Sequence, residues 1–228
     1  MIIDSQVHAY EANTPARPWH SVPNWPAHVT GDEMVAAMDA VGVDGAIFIS
    51  AFSLYRYDAS YAVEVARKHS DRLAIVKPVD AGDPAVEEVV AEWKRIPGTV
   101  GIRMWLTKDG GRAPGDPGLD RIARAAVRQD FPVNLHCWDN LDAGIAVIDR
   151  HPDTRFIVDH MGIVQPRVPP APMKPWAMLP KVIDMAKRPN AVIKISGACT
   201  LSKAPYPFDD IWDPLARIFE VWGIERCL

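Results

Sequence analysis

The chain has 228 residues, of which 48% are hydrophobic and 24% charged, enough apolar material for one large core or two small ones. A formal net charge of -4 without a dense Lys/Arg cluster argues against a nucleic-acid or anionic-membrane surface. Three widely spaced cysteines (Cys137, Cys199, Cys227) fit a reduced, cytoplasmic setting better than a disulfide framework, and the N-terminus MIIDSQVHAY has no secretion-signal pattern.

In chain order, short apolar runs alternate with helical patterns, the signature of repeated βα units and a parallel sheet. Strands are predicted at Ile2–His8, Gly45–Ser50, Leu73–Val79, Val100–Leu106, Val133–Cys137, Phe156–His160 and Val192–Ser196. Their Val/Ile-rich, barely alternating character fits strands covered on both faces. Between them, Thr30 and Glu33 form a capping-box pattern followed by Met34, Ala37, Met38 and Val41 at helical spacing, with Gly42 as the stop. Asp116 before Pro117 starts a second helix, and Asp213-Pro214 opens another. With no linker-like shift in composition, residues 1–228 read as a single domain. The expected fold is an α/β barrel of the (β/α)8 type, with the eighth strand and final helix missing after GIERCL.

Connections that follow the strands are long (Ala9–Gly31, Thr107–Gly115, Met161–Pro175), while those entering strands are short. Long irregular loops gathered at one end of a barrel mark the working face. The first carries Trp19, His20 and Trp25, and the third is rich in proline, so both are expected to wall the site.

Three of the seven histidines (His8, His136, His160) end strand-like runs, at equivalent places in separate βα units. Neutral imidazole can bind metal and titrates near neutral pH, which makes this trio the candidate catalytic cluster and the candidate ligand set for a metal. Arg103 within VGIRMW is the candidate anchor for a carboxylate, because guanidinium presents a planar fork. Lys77 and Lys194 lie inside apolar strands, where an unpaired lysine is costly. Lys77 is taken for the site, with Gln6, His20 and Ser196 as further substrate-binding candidates. Asp159, beside His160, should point to the opposite face by strand alternation and so belong to the barrel wall.

The segments IIDSQVHAY, VGIRMW, FPVNLH, FIVDHMG and VIKISG, in this order, resemble the second branch of the amidohydrolase-related superfamily, the branch of lactone hydrolases and some decarboxylases. The resemblance covers essentially the whole chain. It implies a divalent metal, most simply zinc, or a water positioned directly by protein, held by groups matching His8, His136 and His160. Two positions depart from the pattern: Gln6 stands where the first histidine of a His-x-His pair is usual, and the eighth-strand aspartate, expected a few residues after Leu228, is absent from the sequence. The implied activity is hydrolysis of a lactone or related cyclic ester of a small acidic compound. Metal-dependent decarboxylation and a truncated, inactive barrel are the alternatives, metal-free catalysis is compatible with Gln6, and a homo-oligomer is compatible with everything above.

Overall fold

A computed structural model describes residues 1–21, 24–110, 112–166 and 168–228. Seven strands form one sheet in sequential order: β1 (Ile3–Val7), β2 (Gly45–Ile49), β3 (Leu73–Pro78), β4 (Thr99–Trp105), β5 (Val133–His136), β6 (Phe156–Val158) and β7 (Ala191–Ile193). Every neighbouring pair is parallel. The helices between them are α1 (Gly31–Val41), α2 (Phe52–Tyr55), α3 (Ser60–Lys68), α4 (Val86–Lys94), α5 (Pro117–Arg128), α6 (Leu141–Arg150), α7 (Leu179–Met185) and α8 (Trp212–Trp222). This is the expected barrel-type fold without its eighth strand. Cys227 bridges Ile193 in parallel, and Leu228 exchanges backbone bonds of 2.8 Å with Ile193 and Ile195, the first rung of pairing on the far side of β7.

Local signals place the helices. The Thr30 hydroxyl accepts from the Glu33 N–H while the Glu33 carboxylate accepts from the Thr30 N–H, a complete capping box, and Gly42 closes α1 at φ 74. Asp116 caps α5, accepting from the Gly118 N–H, with Pro117 in the first turn. The last helix differs in detail: it begins at Trp212, one residue before Asp213, whose side chain does not cap it.

The strands are shorter than their apolar runs, and the difference falls where the candidate residues sit. β1 stops at Val7, β6 at Val158 and β7 at Ile193, so His8, His160 and Ser196 lie beyond the ladder rather than in it. The core lies between the sheet and its helices, with Phe48, Ile75, Ile102, Val133, Leu135 and Phe156 at 0–1% exposure.

Candidate active site

Register decides which side chains enter the barrel. Gly101 pairs with Val76, Arg103 with Pro78 and Asn134, and Trp105 with His136, while Asn134 pairs with Ile157 and Ile157 with Val192. Two residues further on, the same inward rows contain Asp159 and Lys194. Lys77 pairs instead with Ile102, one step out of phase, and faces the helical layer. There its ammonium sits 5.5 Å from the Trp93 ring centroid and borders a surface groove with Asp58 and Glu64. The structure therefore separates Lys77 from the histidines and puts Lys194 among them.

His160 has the opposite parity to Asp159 and would point outward if β6 continued. Instead the chain turns: His160 and Met161 take left-handed φ values of 54 and 59, and the turn brings the His160 ring to 5.8 Å from that of His136. Alternation across a continuing strand was thus the wrong basis for assigning Asp159 to the wall. Asp159 enters the barrel by parity, and His160 enters by backbone reversal.

The floor is a buried charged cluster. Arg103 Nε donates to Asp159 Oδ2 at 2.7 Å, and Lys194 Nζ lies 3.1 Å from Asp159 Oδ1 as an ion pair not aligned for hydrogen bonding. Lys194 donates to Asn134 Oδ1 at 2.6 Å and Gln6 Oε1 at 2.9 Å. Arg103, Asp159 and Lys194 are 4%, 0% and 1% exposed. Burial opposes ionisation of Asp159, but the Arg103 and Lys194 charges outweigh it and hold the carboxyl well below its usual range. Two cations against one carboxylate leave this floor net positive.

These bonds also fix the imidazole tautomers. Lys194 can only donate, so Gln6 presents its oxygen to Lys194 and its NH2 to the histidines. That NH2 lies 2.9 Å from His160 Nε2 and 3.4 Å from His8 Nε2. His160 Nε2 is therefore the acceptor, and its Nδ1–H donates to Ser196 Oγ at 2.8 Å. His8 Nδ1 lies 2.8 Å from the Ile49 carbonyl, which can only accept, so its proton is on Nδ1 and Nε2 is a bare base. His136 is the reverse. Arg103 Nη2 donates to its Nδ1 at 3.0 Å, which leaves the proton on Nε2. Burial above all keeps the three rings neutral, lowering His8 to about 4, His160 to about 3 and His136 well below its usual value.

Above the floor lies a cavity of about 490 Å³ bordered by His8, Arg103, His136, His160, Trp105 and Trp138, with Trp25, Val164 and Lys108 toward the mouth. Ligand pockets generally fall in this size range. Trp105 and Trp138 flank His136 with ring centroids 4.2 and 4.5 Å away, and the Trp138 indole N–H is buried without a partner among the described residues. The first long loop does form wall: Tyr10 packs against Trp19 and Trp25, and Trp25 borders the cavity. His20, by contrast, is exposed and does not line it. Pro166, Pro169 and Pro170 line a different groove, with Thr200 and Phe208. Trp138 and the inward role of Asn134 escaped sequence reading. Register from Arg103 onward was the signal that could have found Asn134.

The donor set does not suit a divalent metal. Among the described residues no group of three or more His, Cys, Asp or Glu side chains is arranged to hold one. His136 spends its lone pair on Arg103, and the bare nitrogens of His8 and His160 face an amide NH2. Imidazole must offer a free lone pair to serve as a ligand.

A family model described as amidohydrolase matches residues 3–228. The chain belongs to the amidohydrolase family. Among solved structures, this amidohydrolase is similar to a probable 2-pyrone-4,6-dicarboxylic acid hydrolase from Acinetobacter baumannii with citric acid bound. The identity is 19%, the TM-score 0.74, and the match covers 100% of this chain and 82% of that one. It is also similar to amidohydrolase 2 from Bifidobacterium longum subsp. infantis (19%, TM-score 0.63, 99% and 81% covered). A third likeness is to the 5-carboxyvanillate decarboxylase from Novosphingobium aromaticivorans, solved with manganese and a nitrobenzoic acid (17%, TM-score 0.64, 100% and 84% covered). These likenesses establish the fold. No curated protein matches significantly, and no helix among the described residues is long and apolar enough to cross a membrane.

Proposed function

We propose that this amidohydrolase opens a lactone or related cyclic ester of a small acidic compound by attack of water. The observation that carries the reading is the pairing of opposite tautomers at one cavity: His8 offers a bare Nε2, and His136 offers an Nε2–H with no partner among the described residues. A base for water and a donor for the carbonyl oxygen are what acyl transfer needs on its two sides.

In this scheme His8 Nε2 takes a proton from water as its oxygen attacks the lactone carbonyl. His136 Nε2–H stabilises the charge that develops on the carbonyl oxygen. The ring C–O bond then breaks, and the proton on His8 passes to the departing oxygen, giving the hydroxy acid. Arg103 keeps Nη1 without a partner among the described residues, beside a floor with one surplus positive charge, which supports binding of the substrate carboxylate. His160, whose lone pair is engaged by Gln6, orients rather than abstracts. The relatives' names point to 2-pyrone-4,6-dicarboxylic acid and simple carboxylated lactones as first substrates.

The test is ring opening followed by loss of lactone absorbance. His8→Ala should lower kcat by roughly 10²–10⁴. Arg103→Ala should raise KM for carboxylated lactones more than for neutral ones. No turnover of any carboxylated lactone, with carbon dioxide released from a benzoate instead, would replace the reading with decarboxylation, for which the fold likeness to the carboxyvanillate enzyme is the motive.

A further inference from the structure

Gln6 stands at the one position where His8 and His160 both aim an unprotonated nitrogen. Two lone pairs converging on one point ordinarily call for a shared cation. Here the point is filled by an amide NH2, a group with two hydrogens to give. Behind it, the Lys194 ammonium binds the amide oxygen at 2.9 Å, which draws electrons from the NH2 and makes it a better donor. Lys194 is itself held by Asn134 and Asp159, so the amide is not free to turn round.

We infer that in this chain the Gln6 amide, polarised by Lys194, takes the place of a divalent metal between His8 and His160, and that the site works without one. The inference concerns occupancy and tautomers and does not rest on the lactone reading. Three features would each resist a cation: the amide hydrogens point at the position it would need, a fixed ammonium lies one amide away, and His136 has no lone pair to give. Gln6 is accordingly a positioning residue. It holds His160 as the Nδ1–H tautomer bonded to Ser196 and leaves the more distant His8 Nε2, at 3.4 Å, the freer base.

Two measurements on the full chain test this without turnover. After exposure to zinc chloride or manganese chloride and dialysis, metal analysis and calorimetry should find well under one equivalent bound. A retained equivalent would overturn the inference. Long-range ¹H–¹⁵N spectra of histidine-labelled protein, assigned with His8→Asn and His160→Asn, should show Nδ1–H forms for His8 and His160 and an Nε2–H form for His136. An Nε2–H signal for His160 would be equally fatal. Gln6→Glu, checked for folding by its melting curve, replaces the amide hydrogens by a carboxylate between two imidazoles, a set that favours divalent ions. It should bind zinc at least about tenfold tighter than the wild type, a difference of ~1.4 kcal/mol. A folded Gln6→Glu protein with unchanged zinc affinity would refute the claim that the amide is what keeps the metal out.

Discussion

Lys77 and Lys194 occupy similar sequence settings, LAIVKP and AVIKIS, yet belong to opposite faces of the same sheet. For both, burial is the first cause of a lowered pKa. Lys77 answers by lying over the Trp93 ring within the field of the Asp58 and Glu92 carboxylates, at the edge of a surface groove. Lys194 has no route to water and is satisfied by Asn134, Gln6 and Asp159. An inward-facing lysine must bring its partners with it, and the barrel supplies them by aligning residues from four strands. The outer lysine costs the fold little, whereas the inner one holds the site in place.

The largest expected effect comes from pH, because the inner face buries three imidazoles and keeps them neutral. Unfolded histidine takes a proton near pH ~6.5. In the folded chain His8 resists until about 4 and His160 until about 3, with His136 also well below its usual value. Between those limits the unfolded state binds more protons, so stability is full above pH ~6.5 and is lost as pH falls toward 4 and then 3. With all three contributing, the slope should approach ~4 kcal/mol per pH unit below about pH 5.5, read from urea unfolding at a series of pH values. A slope of one proton or less would mean the rings are not buried neutral. The same argument predicts that kcat/KM for lactone opening stays flat from neutral pH down to about 5 and falls only as His8 is protonated.

The inner cluster can next be broken directly. Lys194→Met leaves the Asn134 and Gln6 oxygens without their donor and Asp159 with Arg103 alone, and should cost about 3–5 kcal/mol. Asp159→Asn leaves two buried cations facing a neutral amide and should cost a similar amount. The double variant should cost less than the sum of the two, because Lys194→Met removes one of the two cations that Asp159→Asn leaves without a carboxylate. Simple additivity in the denaturation free energies would show that the two do not share a network. Gly197 offers a finer probe of the rim. It sits at φ 73, and an added Cβ would lie 2.0 Å from Gln165 Oε1, the side chain whose Nε2 bonds the Ser196 carbonyl. Gly197→Ala should therefore displace Ser196, the partner of His160, and lower kcat with a smaller loss of stability.

How much of this could be read in advance follows from what each feature depends on. The βα alternation, the α1 capping box and the Asp116-Pro117 helix start are local, and the chain displays them where the structure uses them. The histidine cluster was also legible, because three strand ends repeat one placement. The aim of His160 was not, since it depends on two consecutive left-handed residues, neither of them glycine, that no sequence pattern announces. Nor was the choice between the two lysines. Both strands are apolar on both faces, so composition carries no phase, and only pairing of Lys77 with Ile102 and of Arg103 with Asn134 supplies it. Gln6 stands out in the sequence as a departure, but its meaning depends on Lys194, which lies 188 residues away.

The smallest effect closes the comparison and is the sharpest check on it. Lys77→Met removes a cation lying against an indole but also removes a partly desolvated charge, two changes of opposite sign and each of ~1 kcal/mol or less. The net change in stability should fall within about 0.5 kcal/mol, with kcat and KM for lactone opening unchanged, because the side chain lies on the far side of β3 from the cavity. If Lys77→Met proved as damaging as Lys194→Met, the register of β3 against β4 would have to shift by one residue. Such a slip would turn Val76 and Pro78 outward and carry Lys77 into the barrel beside Arg103. The two lysine substitutions, measured side by side, thus test the strand phase on which the whole inward-facing site depends.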